Sequence, residues 1–205
     1  MKRLLVATLN PGKIREFAHA LIPEGIDVVG LDSLDQVEPV EETGETFEAN
    51  ARLKAEAYSR LTDLPVLADD SGIEVDALGG APGVQSARFG GSGLDDDGRN
   101  RLLVERLASV VDPSRRSGRF RCVLALALSG RTVATFEGVV EGRILEEPQG
   151  GNGFGYDPLF FHPPSGCTTA ELTPTAKQAI SHRGQAIAAL LQAIRVGDPR
   201  LTDLG

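Results

Sequence analysis

The stretch from 119 to 139 constrains the fold more than any other part of the chain. Phe120, Cys122, Leu124, Leu126 and Leu128 alternate with Val123, Ala125 and Ala127. Ser129-Gly130-Arg131 then turns the chain, and Val133, Phe136 and Val139 continue beyond it. Period-two alternation on both sides of a glycine turn predicts a long β-hairpin.

The earlier sequence follows another rule. Residues 4–8 (LLVAT) read as a short strand, and after Gly12 the residues Ile14, Phe17, Ala18, Leu21 and Ile22 fall at helical spacing. Residues 26–29 read as a second strand. Thr46 is placed to cap a helix whose inner stripe is Phe47, Asn50 or Ala51, Tyr58 and Leu61, with Glu48–Arg52 and Arg52–Glu56 as solvent-side pairs. Residues 65–68 (PVLA) form a buried strand that runs directly into Asp69-Asp70-Ser71-Gly72. Residues 95–108 are helical, with Leu102, Leu103, Val104 and Leu107 inward. A last helix spans 184–195, with Ile187, Leu190, Leu191 and Ile194 on one face and Ser181 as its cap. Strand–helix alternation followed by a hairpin predicts an α/β fold. The expectation is one domain over 1–205, with a mixed sheet and two lobes with a cleft between them.

Composition removes several functions. With 205 residues, 41% hydrophobic and 24% charged, the chain can bury a substantial core. Its net charge of -8 argues against nucleic acid as a partner, since a cationic face supplies most of that affinity. A small phosphorylated ligand stays open, because a metal and a few placed cations neutralise it locally. No apolar run approaches the roughly 20 residues that span a bilayer, and polar residues follow MKRLLVA too soon for a signal peptide. Cys122 and Cys167 have no metal-ligand spacing, nor do the three histidines. These features predict a cytoplasmic protein with no membrane partner.

Four segments carry candidate chemistry, and each also has an ordinary structural reading. Thr8-Leu9-Asn10-Pro11-Gly12-Lys13 joins a strand to a helix, where free N–H groups and the helix dipole suit phosphate, although a plain connection would use similar residues. Glu41-Glu42 and Asp69-Asp70 are acidic pairs, the second expected at a strand's carboxyl end, where α/β ligands bind. Adjacent carboxylates there invite Mg²⁺; a solvated loop and an Asx turn are the alternatives. In 150–158 (GGNGFGYDP), Phe154 and Tyr156 offer a purine flat faces and Asp157 an acceptor, or the two rings plug the core. Lys177, Ser181, His182 and Arg183 gather donors at a helix start, or cap it on the surface. Arg115, Arg116 and Arg119 read as a solvated face.

Taken in order, residues 7–17 (ATLNPGKIREF), 41–55 (EETGETFEANARLKA), 68–89 (ADDSGIEVDALGGAPGVQSARF), 150–161 (GGNGFGYDPLFF) and 179–186 (AISHRGQA) resemble the inosine/xanthosine triphosphate pyrophosphatase family. Leu9 departs from a frequent Gly and Phe89 from a frequent Tyr. The resemblance implies an α/β fold with a long central mixed sheet flanked by helices and two lobes around a nucleotide-binding cleft, in a homodimer that hydrolyses ITP, dITP and XTP, as nucleoside triphosphate substrates, to monophosphate and pyrophosphate with Mg²⁺. It implies that Thr8, Leu9, Asn10, Pro11, Gly12 and Lys13 hold the triphosphate, Lys13 also acting in catalysis. Asp70 would be the general base, and Glu41 with Asp70 would hold the metal. Ser71, Phe154, Gly155, Tyr156, Asp157, Lys177, His182 and Arg183 would hold the nucleotide. It leaves open whether Glu42 and Asp69 also reach the metal. A cation beside Asp70 would lower its pKa, so that Asp70 acts by positioning water. A broader triphosphate pyrophosphatase and a nucleotide-sensing module are the competing expectations.

Overall fold

The computed structural model describes residues 3–34, 37–91 and 93–204. Seven strands, β1 (Arg3–Val6), β2 (Asp27–Gly30), β3 (Val66–Val75), β4 (Ser117–Leu128), β5 (Arg131–Ile144), β6 (Phe160–His162) and β7 (Cys167–Thr168), form one open sheet in the order β2-β1-β3-β4-β5-β6-β7. β1 pairs parallel with β2 and with β3, whereas β5–β6 and β6–β7 are antiparallel. The sheet is therefore mixed, and with its helices the fold is α/β, as expected.

The predicted hairpin is β4–β5. Ser129 and Gly130 both take positive φ, 50° and 79°, the backbone that matches a two-residue turn to the strands' twist. β3 differs from its prediction. It does not stop at residue 68 but continues through Asp69-Asp70-Ser71-Gly72 to Val75, so the acidic pair lies inside a strand. Gly72 permits this passage: a Cβ there would lie 2.5 Å from the carbonyl oxygen of Gly83.

Among the described residues, five α-helices complete the fold: α1 (Pro11–Leu21), α2 (Phe47–Tyr58), α3 (Asp96–Arg106), α4 (Pro174–Ile180) and α5 (His182–Arg195). Side-chain caps start four of them, from Asn10, Thr46, Asp95 and Thr173. Ile22 and Leu61 lie beyond the helices assigned to them and are exposed. Glu48–Arg52 pairs as predicted at 2.7 Å, but Glu56 accepts from Thr132 rather than Arg52.

The chain divides into two compact units. The first comprises 1–70, 122–138 and 183–205, and its core gathers Leu4, Val6, Phe17, Leu67, Leu124, Ile187 and Leu190. The second comprises 71–121 and 139–182, around Ile73, Leu103, Leu107, Phe120, Tyr156 and Phe160. Among the described residues no helix is long and apolar enough to cross a membrane.

Candidate active site

In the first unit, β3 carries two adjacent carboxylates into different surroundings. Asp69 is fully buried, and its Oδ2 accepts from Lys13 Nζ at 2.9 Å and from Arg183 Nη2 at 3.0 Å and Nε at 3.3 Å. Burial alone would raise its pKa, but Lys13, Arg183 and Lys54 outweigh burial and hold the carboxyl well below the usual carboxylate range. The Arg183 guanidinium, also buried, donates to Glu16 through its Nη1. Its own pKa is raised: burial acts against the charge, and Asp69 and Glu16 overcome it. Arg183, expected on the nucleotide, is committed here to Asp69 and Glu16.

Asp70 faces a different set. Its Oδ2 accepts from Asn50 Nδ2 at 3.1 Å, and its Oδ1 lies 3.6 Å from Lys54 Nζ. Lys54 also reaches Glu42 Oε1 at 2.6 Å. Burial raises the Asp70 pKa; Lys54 opposes it, Glu42 adds to it, and the net shift is upward. The expected lowering by a neighbouring cation is thus reversed in the protein's own field. Lys54 is raised too, burial being outweighed by Asp70, Asp69 and Glu42. The acidic partner that Lys54 ties to Asp70 is Glu42, whereas Glu41, the expected metal ligand, is exposed.

The connection from β1 to α1 holds its candidate phosphate donors in a specific way. Asn10 Oδ1 accepts from the N–H groups of Gly12 (2.8 Å) and Lys13 (3.2 Å), and Thr8 Oγ1 accepts from Asn10 N–H at 3.2 Å. The first-turn amides expected to be open are therefore capped by the loop's own side chain. Leu9 is exposed, and Pro11 starts the helix.

The second unit builds another set on the glycine-rich loop. Asp157 is buried; its Oδ2 accepts from Phe154 N–H at 2.8 Å and Lys177 Nζ at 2.6 Å, and its Oδ1 from Thr169 Oγ1 at 2.8 Å. Gly153, at φ 79°, lets the carboxylate fold back, because a Cβ there would lie 2.9 Å from Asp157 Cγ. Lys177 Nζ stands 4.8 Å from the centre of the half-buried Phe154 ring. Gly155 is clipped by α3: its N–H donates to Asp96 Oδ2 at 2.8 Å, and its carbonyl accepts from Asn100 Nδ2 at 3.0 Å. Tyr156, expected as a second flat face, is instead buried with its hydroxyl donating to the Ser86 carbonyl at 2.9 Å. His182 is buried and stacks on Phe120, with centroids 4.7 Å apart and 14° between planes. Ser71 lies half-buried in β3.

The sequence reading missed Asn50, Lys54, Glu16 and Asp96 as members of these sets. A usable signal existed for the first two. Asn50 and Lys54 are one helical turn apart, and Asn50 interrupts the apolar stripe Phe47, Ala51, Ala55, Tyr58. Glu16 and Asp96 lie on helices and carried no comparable mark.

Comparison with known proteins agrees with this fold and these motifs. The Ham1 family model matches residues 4–193. A protein named dITP/XTP pyrophosphatase from Bacillus subtilis (strain 168) is 46% identical over 187 residues, 91% of this chain and 94% of that protein. One of the same name from Shigella flexneri is 48% identical over 199 residues, 96% of this chain and 100% of that protein. Among solved structures, a HAM1 protein from Coxiella burnetii superposes with a TM-score of 0.85 at 41% identity, covering 96% of this chain and 100% of that one. The nucleoside-triphosphatase / dITP/XTP pyrophosphatase from Mycobacterium abscessus gives 0.73 at 43% identity, covering 92% and 98%. Matched over nearly its whole length, the chain belongs to the Ham1 family.

Proposed function

We propose that the protein hydrolyses the noncanonical purine nucleoside triphosphates ITP, dITP and XTP to the monophosphate and pyrophosphate, with Mg²⁺. The observation that carries this reading is the cluster on β3, where Asp70, Glu42, Lys54, Asp69 and Lys13 gather acid and cation in a protein whose relatives bear the name dITP/XTP pyrophosphatase. Glu41 and Asp70 offer carboxylates to a Mg²⁺ ion, which takes one or two of them and fills its remaining positions with water and phosphate oxygens. Glu42 is taken up by Lys54 beside Asp70, and Glu41, exposed next to it, keeps the metal assignment. Asp69, occupied by Lys13 and Arg183, serves instead to hold those cations. When bound, the metal withdraws charge from the phosphate oxygens and stabilises the leaving pyrophosphate.

The residues divide the remaining work. Thr8, Leu9, Asn10, Pro11, Gly12 and Lys13 take the triphosphate, Lys13 supplying a positive charge fixed by Asp69. Asp70 orients the attacking water and takes its proton as the new oxygen–phosphorus bond forms at the α-phosphorus. The bond to the bridging oxygen breaks, and its electron pair leaves with pyrophosphate. In the second unit, Phe154 offers its ring to the base, with Lys177 and Asp157 fixing the ring's loop. Ser71 and His182 keep their assignment to the nucleotide. Arg183, oriented by Asp69 and Glu16, or a backbone N–H is the donor to the 6-oxo group. Adenine would set an amine against that donor, and a site built for the hydrogen bond rejects such a mismatch by roughly 10⁴. A homodimer and a cytoplasmic setting belong to the same reading; sedimentation of the purified protein tests the dimer.

The test is a Mg²⁺-dependent panel of ITP, dITP, XTP, ATP, GTP and dUTP, with pyrophosphate and orthophosphate read separately. Pyrophosphate from the inosine and xanthosine nucleotides, little from ATP or GTP, and none in EDTA is the expected result. Orthophosphate would move the attack to the γ-phosphorus. Preferred turnover of dUTP would favour a broader pyrophosphatase, and tight binding without turnover a sensor.

A further inference from the structure

Asn50 is fully buried in α2, and its amide is used at both ends. Oδ1 accepts from the Gly44 N–H at 2.7 Å, and Nδ2 donates to Asp70 Oδ2 at 3.1 Å. One turn further on, Lys54 reaches Glu42 and stands 3.6 Å from Asp70 Oδ1. The two oxygens of Asp70 thus face different partners.

We propose that Asn50 is a positioning residue that fixes the rotation of the Asp70 carboxylate and ties it to the loop bearing Glu42, an inference that rests on the proposed role of Asp70. Neither helix formation nor core packing accounts for an asparagine at this place. It is a weaker helix former than its neighbours Ala51 and Ala55, and a buried amide is unfavourable unless its hydrogen bonds are made. The pairing explains it. A backbone N–H needs an acceptor and a carboxylate needs a donor, and a short amide supplies one of each at fixed separation. Aspartate would set a second carboxylate against Asp70. Leucine would leave both the Gly44 N–H and Asp70 Oδ2 without this partner. The loop is shaped for the contact as well: a Cβ on Gly44 would lie 2.7 Å from Asn50 Oδ1 and from the Ala49 Cβ.

Two variants separate orientation of Asp70 from anchoring of the loop. Asn50→Asp keeps the acceptor for Gly44 and loses the donor to Asp70, whereas Asn50→Leu keeps the shape and loses both. For each, the thermal midpoint, the kcat and KM for dITP, and the Mn²⁺ affinity of the free protein by electron paramagnetic resonance are measured. The expected result is folded protein, kcat lower by about 10- to 100-fold in both variants, and KM within about threefold. Mn²⁺ binding weakens about tenfold in Asn50→Leu. A kcat for Asn50→Asp within twofold of wild type would leave Asn50 as a loop anchor and overturn the proposal. Unfolding of Asn50→Asp at 25 °C would make the residue structural and overturn it too. If wild type itself releases no pyrophosphate, the functional reading fails, and the Mn²⁺ comparison of wild type with Asn50→Leu still decides the inference: equal affinities overturn it.

Discussion

Replacing Arg116 by methionine removes a charge that the structure uses as a clamp. The guanidinium is 2% exposed and donates to four backbone carbonyls: Ile144 at 2.9 Å, Leu145 at 3.1 Å, Leu107 at 3.3 Å and Val110 at 3.4 Å. It thereby joins the end of α3 to the end of β5. Glu146, 3.6 Å from its Nη1, is mostly solvated and contributes little. Hydrogen bonds from a charged donor are worth about 1.5–3 kcal/mol each when well made. Counting the two short bonds near the lower figure and the two long ones at about a third of it, the loss is about 4 kcal/mol. Methionine keeps the packing of the stem, so little of this comes from lost apolar area. At 2–4 °C per kcal/mol for a domain of this size, the thermal midpoint falls by about 8–16 °C. Circular dichroism melts of wild type, Arg116→Met and Arg116→Lys measure it. Lysine should recover less than half, because one ammonium cannot reach four carbonyls in this arrangement. A drop below about 3 °C for Arg116→Met would refute the clamp.

Three further outcomes follow from the site. Asp70→Asn should lower kcat by about 10²–10⁴ with an unchanged circular dichroism spectrum, and an Asn variant retaining most of its turnover removes Asp70 from the chemistry. Gly153→Ala forces a non-glycine residue to φ 79° and a methyl against Asp157. It should cost about 1–2 kcal/mol and raise KM for dITP about tenfold through displacement of the Phe154 loop; an unchanged KM refutes that link. Cys122 is fully buried, and its thiol is pushed up to about 12, chiefly by burial. The group titrates from neutral thiol to thiolate on going up through that value, so at pH 8 it stays neutral and unreactive. Titration with a disulfide reagent should count no more than one fast thiol in native protein and two after denaturation.

Local pattern made the hairpin, the capped helices and the mixed sheet legible, because period two, period 3.6 and cap residues act over a few positions. What escaped depends on where a strand is met by other segments. Asp69-Asp70-Ser71-Gly72 has the composition of a turn, yet Gly72 lets the Gly83 backbone approach and the strand runs on. Tyr156 and Phe154 are indistinguishable by neighbourhood in sequence, and packing in the second unit's core, with the Ser86 carbonyl for its hydroxyl, sets Tyr156 apart. Arg116 was read as solvated because its partners are carbonyls, which every residue carries and no sequence advertises. Arg183 pairs with buried Asp69, 114 positions away, and with half-buried Glu16, 167 positions away. Glu42 is half-buried and reaches Lys54, whereas its neighbour Glu41 is exposed. In each case the contacts a side chain makes come from distant segments, whereas the motif located only the neighbourhood.

The cap on α1 has a consequence for selectivity among anions. Asn10 Oδ1 already sits on the amides of Gly12 and Lys13, so an arriving phosphate oxygen competes with an internal neutral oxygen and not only with water. The exchange leaves the number of hydrogen bonds unchanged, and its driving force is the gain in charge at the acceptor. A weakly charged or neutral oxygen gains almost nothing by the swap. A polyphosphate gains most, and a monophosphate with fewer charges gains less. If the loop takes the triphosphate as proposed, the side chain would act as a resident competitor that sets a threshold, favouring the triphosphate over a monophosphate.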